Sequence, residues 1–250
     1  FLLLGQNDLV GISFWIATAA MLSSSIFFLI ERGSVAPQWR TSMTIATLIT
    51  GVAFWHYMYM REHWILTGES PIVYRYVDWF ITVPLQIVEF YFILAAVTVV
   101  TAMLFWRLLT ASILMLLFGF LGETGMIGGS ALVWWLLGTV CWLYIIYEIF
   151  RGEAAMLNKE SKNEAGQMGF AALKWIVTIG WAIYPIGYLY GLEETTILGV
   201  RITNTAYSLE LINIIYNLAD LVNKTAFGIA IWLAAKKDSE KIEERRSFMP

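Results

Sequence analysis

Seven stretches of this 250-residue chain are long, apolar and nearly free of charge, and that pattern constrains its fold more than any other feature. A bilayer-spanning helix needs about 20 mostly apolar residues. Residues 9–30 and 41–60 meet this with no Asp, Glu, Lys or Arg, and 73–97, 106–122, 130–150, 170–192 and 205–235 meet it with a few charges each. The runs are too long and continuous for the alternating segments of a membrane β-barrel. Only 14% of residues are charged, against about 25% in a typical soluble domain, and the mean hydropathy is +0.67. A water-facing surface cannot be built from so few charges. The expected fold is a single all-α domain over 1–250, a seven-transmembrane-helix bundle in a lipid bilayer.

Basic residues set the orientation. Arg32, Arg40, Arg107, Arg151, Lys159, Lys162 and Lys174 fall near the first-to-second, third-to-fourth and fifth-to-sixth connections, and Lys236, Lys237, Lys241, Arg245 and Arg246 fall in the tail. The opposite side carries Arg61, Arg75 and Arg201. The N-terminus is therefore expected outside and the C-terminus in the cytoplasm. Residues 151–167 read as a solvated loop and 236–246 as a mixed-charge tail. The chain opens at Phe1 without a basic segment, which a cleaved signal peptide and a trimmed start explain equally. A net charge of −3 gives nucleic acid nothing to hold. The single Cys141 can close no intramolecular disulfide, and neither thiolate clusters nor any other metal site is expected.

Asp78, Glu89, Asp220 and Lys224 interrupt the apolar runs. Each such ionised group costs about 2.5–3.5 kcal/mol near a helix centre, so four unpaired would cost on the order of 10 kcal/mol. Asp220 and Lys224 are an i, i+4 pair and could simply neutralise each other, but that leaves Asp78 and Glu89 unexplained. These two are eleven positions apart, hence on one face of a helix and about 16 Å apart along it. Arg75 lies one turn outward of Asp78. A mid-membrane lysine with one carboxyl toward each side is the layout of a proton relay. An ion-coupled transporter could use the same parts, but such proteins favour broken helices and internal repeats, which this sequence lacks. Tyr76, Trp79, Trp181, Tyr184 and Tyr207 cluster around the charges, and Trp181, Tyr184 and Pro185 sit at a potential kink. A flat apolar cofactor would fit between such rings.

Arg75-Tyr76-Val77-Asp78-Trp79 followed by Thr82-Val83-Pro84-Leu85, then Trp181-Ala182-Ile183-Tyr184-Pro185, then Leu218-Ala219-Asp220-Leu221-Val222-Asn223-Lys224 resemble the third, sixth and seventh helices of microbial (type 1) rhodopsins. Within that family the chain looks most like the proteorhodopsins of the blue-absorbing group. The resemblance implies that Lys224 carries all-trans retinal as a protonated Schiff base. Asp78 would be the main counterion and proton acceptor, with Asp220 and Arg75 in the same complex, and Glu89 would be the proton donor. Thr82 would be the middle member of the ion-selectivity triplet, and the resulting Asp-Thr-Glu pattern resembles that of outward proton pumps. His56 would tune the acceptor and Gln86 the colour. Trp79, Met115, Trp181, Tyr184 and Pro185 would line the retinal pocket, and Glu123 would lie near the release path. Read from the residues alone, the default for His56 is a core or interfacial imidazole, and Gln86 can be a buried amide bonded to a backbone carbonyl as well as a tuning residue.

The function so implied is a light-driven outward proton pump rather than an enzyme. It would work in a bacterial inner membrane, in homo-oligomeric rings of five or six protomers, with His56 reaching the protomer interface. A sensory photoreceptor of the same fold with a slow photocycle is the alternative. A retinal-free seven-helix transporter or receptor is a more distant one.

Overall fold

A computed structural model describes residues 3–192, 194–197, 200–203 and 206–247, with the side chains of 193–208 outside the description. The helices are α1 (Leu9–Glu31), α2 (Arg40–Thr67), α3 (Ile72–Val97), α4 (Ala102–Thr124), α5 (Ala131–Phe150), the short α6 (Glu153–Glu160), α7 (Glu164–Trp175), α8 (Ile183–Gly191) and α9 (Ala206–Ser247). A widened turn, Ile176–Gly180, joins α7 and α8 into one span. Six spans among the described residues are long and apolar enough to cross a membrane. The seventh helix of the bundle is α2, which carries Arg40, Arg61 and Glu62 toward its ends.

Helical spacing of small and apolar residues gives each element its inner face. In α2 the buried positions Ser42, Ala46, Ile49, Ala53, Tyr57 and Met60 recur every three or four residues. The opposite face carries exposed apolar side chains, among them Leu48 and Trp55, as expected of a surface wetted by lipid rather than water. Consecutive helices α1 to α5 pack side by side. The ring closes where α9 packs on α1, α2, α7 and α8, and α3 reaches across to α7. The long α9 and α3 thus face each other across the interior. Gly68 and Gly125, at φ 69° and 63°, end α2 and α4 in the left-handed conformation that an L side chain resists.

Three connections differ from expectation. Within the stretch read as a loop, residues 153–160 form α6: Glu148 Oε1 accepts from Ala154 N (3.3 Å), and Glu153 and Lys159 sit at the ends where the helix dipole favours their charges. The tail is helical, since α9 continues to Ser247; its end, residues 243–247, is exposed as expected, but its start is not. Asp238 and Ser239 dock it there, accepting from Trp39 Nε1 (2.9 Å), Asn163 Nδ2 (2.8 Å) and Ala36 N (2.7 Å). An antiparallel hairpin, β1 (Glu194–Ile197) with β2 (Val200–Thr203), pairs Glu194 with Thr203 and Ile197 with Val200 between the last two spans. Its β-branched residues favour that pairing, and the bundle is otherwise helical.

Candidate functional site

Helical periodicity on α9 brings Asn213, Asn217, Asp220 and Lys224 onto one face, at steps of four, three and four. Opposite them α3 presents Arg75, Asp78, Trp79, Thr82, Gln86 and Glu89, all buried. Pro84 lies within α3 and takes one backbone donor out of its ladder.

Lys224, 2% exposed, sits where these faces meet. Its Nζ donates to Asp78 Oδ2 and, at 3.0 Å, to Asp220 Oδ2. Tyr57 Oη donates to Asp220 Oδ2 (2.9 Å) and Tyr184 Oη to its Oδ1 (2.6 Å), while Trp79 Nε1 lies 3.3 Å from both oxygens. The i, i+4 pair does not merely neutralise itself, because the lysine is shared with a carboxylate from another helix. Charge-assisted bonds of this kind are what make buried ions tolerable in a low-dielectric interior.

Arg75, one turn along α3 from Asp78, makes its hydrogen bonds to another helix. Its Nη2 donates to Asn213 Oδ1 (2.9 Å) and Asn217 Oδ1 (2.7 Å). The guanidinium lies between the rings of Phe14 and Tyr216, 5.3 and 5.5 Å from their centres. Its charge acts through space on Asp220. His56 Nδ1 is 3.9 Å from Asp78 Oδ1 but 2.9 Å from Val52 O, so its closest polar partner is the carbonyl one turn back. Thr82 Oγ1 donates to Asp78 O (3.0 Å), holding the turn that carries the acid. Glu123, on α4, pairs with Tyr76 on the side of the bundle that also carries Arg75.

Three turns along α3, Glu89 is fully buried, and neither of its oxygens makes a hydrogen bond among the described residues. Ser42 of α2 is the polar side chain beside it. The amide nitrogen of Gln86, between the two acids, also lacks a partner among the described residues.

A cavity opens from Lys224 between α3, α4, α5, the sixth span and α9. Trp79, Met115, Trp181, Tyr184, Pro185 and Gln86 line it, so every residue expected to form a pocket borders one space. A long apolar molecule fits this lining, because much of the wall is aromatic rings and the one amine, Lys224, stands with Asp220 and Asn223 at one part of it, while Gln86, Thr139 and Glu123 line other parts. The side chain of Tyr207 lies outside the described residues.

Several participants carry little or no mark in the sequence. Tyr57 has no motif around it and is found only through its bond to Asp220. Trp135 and Trp142 of α5 also line the cavity, and nothing in their Trp-rich run separates them from residues facing lipid. Asn213 and Asn217 do carry a signal, the helical spacing they share with Asp220 and Lys224.

The family model for bacteriorhodopsin-like protein matches residues 8–238. The blue-light absorbing proteorhodopsin of Gamma-proteobacterium Hot 75m4 is 48% identical over 237 residues, 93% of this chain and 88% of its own. The green-light absorbing proteorhodopsin of Gamma-proteobacterium EBAC31A08 is 46% identical over 239 residues, 94% of this chain and 90% of its own. Among solved structures, the blue light-absorbing proteorhodopsin from Med12 superposes with a TM-score of 0.75 at 54% identity, covering 92% of this chain and all of that one.

Proposed function

The chain belongs to the bacteriorhodopsin-like family, and from that premise we propose that it is a light-driven pump carrying protons out of the cell. The observation that carries this reading is the Lys224 amine, held between Asp78 and Asp220 at the mouth of an apolar cavity, with a second buried carboxyl, Glu89, three turns away. All-trans retinal, joined to Lys224 as a protonated Schiff base, would supply light absorption and an isomerisation that redirects the proton on that nitrogen.

The residues of the chain do the rest. Trp79, Met115, Trp181, Tyr184 and Pro185 shape the cavity and keep water from it. Asp220 is held by Tyr57, Tyr184 and Trp79 and serves as a fixed anion beside the nitrogen. Asp78 touches the same nitrogen, and its Oδ1 is free of hydrogen bonds among the described residues, so it takes the proton. Arg75 and His56 set when it does so, the first through its nearby charge and the second from 3.9 Å. Glu89 is buried with no charged partner and only the Ser42 hydroxyl beside it among the described residues, an environment in which a carboxyl keeps its proton, and it returns one to Lys224 from the other side. Thr82 holds the turn between acceptor and donor, Gln86 tunes the colour, and Glu123 with Tyr76 marks the release path. Direction follows from the basic residues Arg32, Arg40, Arg107, Arg151, Lys236 and Lys237, which favour a cytoplasmic C-terminal face and an N-terminus outside. The setting is a bacterial inner membrane, with assembly into rings of five or six.

Cells expressing the chain and supplied with all-trans retinal should acidify their medium under light, and a protonophore should abolish the change. Lys224→Ala should remove both the visible band and the acidification. A visible band without proton movement would turn the assignment to a photosensor, and no band at all would remove retinal from it.

A further inference from the structure

The sixth span is broken at the level of Lys224, and its backbone bonds show how. Pro185 has no N–H, so Trp181 O loses the donor that an unbroken helix would give it. Tyr184 N donates to Trp181 O instead (3.1 Å), which deprives Gly180 O of the partner four residues ahead. One turn earlier Trp181 N reaches five residues back to Ile176 O (3.1 Å), and Val177 O is displaced in the same way. Two carbonyls of one helix are thus left to side chains of its neighbours. Trp142 Nε1 of α5 donates to Val177 O (3.0 Å), and Asn223 Nδ2 of α9 donates to Gly180 O (3.0 Å).

Asn223 is the residue next to Lys224, and the same Nδ2 lies 3.3 Å from Tyr184 Oη, which itself donates to Asp220. The fit is close: a Cβ at position 180 would fall on the Asn223 amide. Widened turns of this type are weak points at which a helix changes shape. A carbonyl held by one side chain, rather than by the helix ladder, can be released without unwinding the rest.

We propose that Asn223 is a positioning residue that ties the widened turn of the sixth helix to Lys224, so that a shift at the lysine is passed to a hinge in the neighbouring span. The inference rests on the reading of Lys224 as the reacting residue. The bond itself belongs to the protein and can be measured without light. Asn223→Leu keeps the volume and removes the donor, and Gly180→Ala pushes the amide away from the other side.

Hydrogen–deuterium exchange on the full-length protein in the dark tests the tie. Both variants should speed exchange of the amides in 176–184 about tenfold, as expected for the loss of one buried hydrogen bond, with α1 and α2 unchanged. Pigment made from Asn223→Leu should keep its visible band, while the late, resetting phase of its photocycle changes about tenfold and the first proton transfer does not. Exchange equal to that of the unmodified chain in both variants would overturn the tie. Faster exchange with an unaltered late phase would reduce Asn223 to a structural bond and overturn the positioning role. If the unmodified chain forms no pigment, the reading of Lys224 fails, and the exchange comparison still decides whether the tie exists.

Discussion

Asp220 and Glu89 are buried carboxyls of one bundle, 2% and 0% exposed, and they are treated in opposite ways. Asp220 is met by Tyr57, Tyr184, Trp79 and Lys224. Glu89 is met by no hydrogen-bond donor among the described residues, within a half of the bundle whose core includes Phe28, Ile49, Phe90, Phe170 and Phe227. A charge removed from water is costly unless donors replace the water. On the proposed reading the first site holds an anion and the second an acid that keeps its proton. A bundle with both can keep a proton on one side of Lys224 and accept one on the other, which two identical sites could not do.

The sharpest way to break this contrast is at the acceptor. Asp78→Asn should lower light-driven proton transport more than about a hundredfold, at the low end of what removing a positioned acid–base group does. It should also move the visible band to the red. A negative charge beside the protonated nitrogen stabilises the ground state more than an excited state whose positive charge has moved away, so its loss narrows the gap. Transport measured in vesicles, with the spectrum of the same sample, checks both. Retained transport would mean that Asp220 takes the proton and that its four donors do not fix it as an anion.

Glu89→Gln comes next. It should slow the return of the proton to Lys224 by about ten- to a hundredfold, while the first transfer to Asp78 keeps its rate. Time-resolved absorption separates the two phases. If they slow together, Glu89 supports the packing of α3 rather than the proton path, and the asymmetry between the halves has another purpose. A smaller effect is expected from Tyr57→Phe, which takes one donor from Asp220 Oδ2 and leaves the ring in place. Leaving a buried acceptor short of a donor costs about 1–3 kcal/mol, so the pigment should bleach at a lower temperature on heating. The corresponding change beside Glu89, Ser42→Ala, should leave the bleaching temperature where it was, because Ser42 Oγ makes no hydrogen bond among the described residues.

The same contrast explains which residues can be read from the sequence. Helices announce themselves through apolar runs, and charges inside those runs are conspicuous because they are expensive, so Asp78, Glu89, Asp220 and Lys224 stand out in the bare string of residues. The partners that make such charges tolerable do not. Tyr57 looks like any aromatic in a membrane helix, and only the packing of α2 against α9 turns it toward Asp220; Trp79 is legible as a neighbour of the charges, but its bond to Asp220 is not. The partners of Arg75 are hidden for a related reason. Its spacing of three from Asp78 allows a contact, but a long side chain can reach another helix, and Asn213 and Asn217 capture it there. In the polar stretches, polarity does not mean solvation: Asp238 is only 6% exposed and bonded to Trp39 and Asn163.

Gln86 tests the boundary between the halves with the smallest effect. It lies on α3 between Asp78 and Glu89, 1% exposed, lining the cavity with an amide nitrogen that no described acceptor engages. On the proposed reading its amide borders the space where charge would move on excitation. Gln86→Leu removes the dipole and keeps the approximate volume. The visible band should move to longer wavelength, and the times of both proton transfers should stay as they were. A spectrum and a photocycle trace from one sample decide it. An unchanged colour with a slower return of the proton would move Gln86 out of the pocket wall and into the path from Glu89, and the dry half of the bundle would then begin one turn closer to Lys224 than the hydrogen bonds place it.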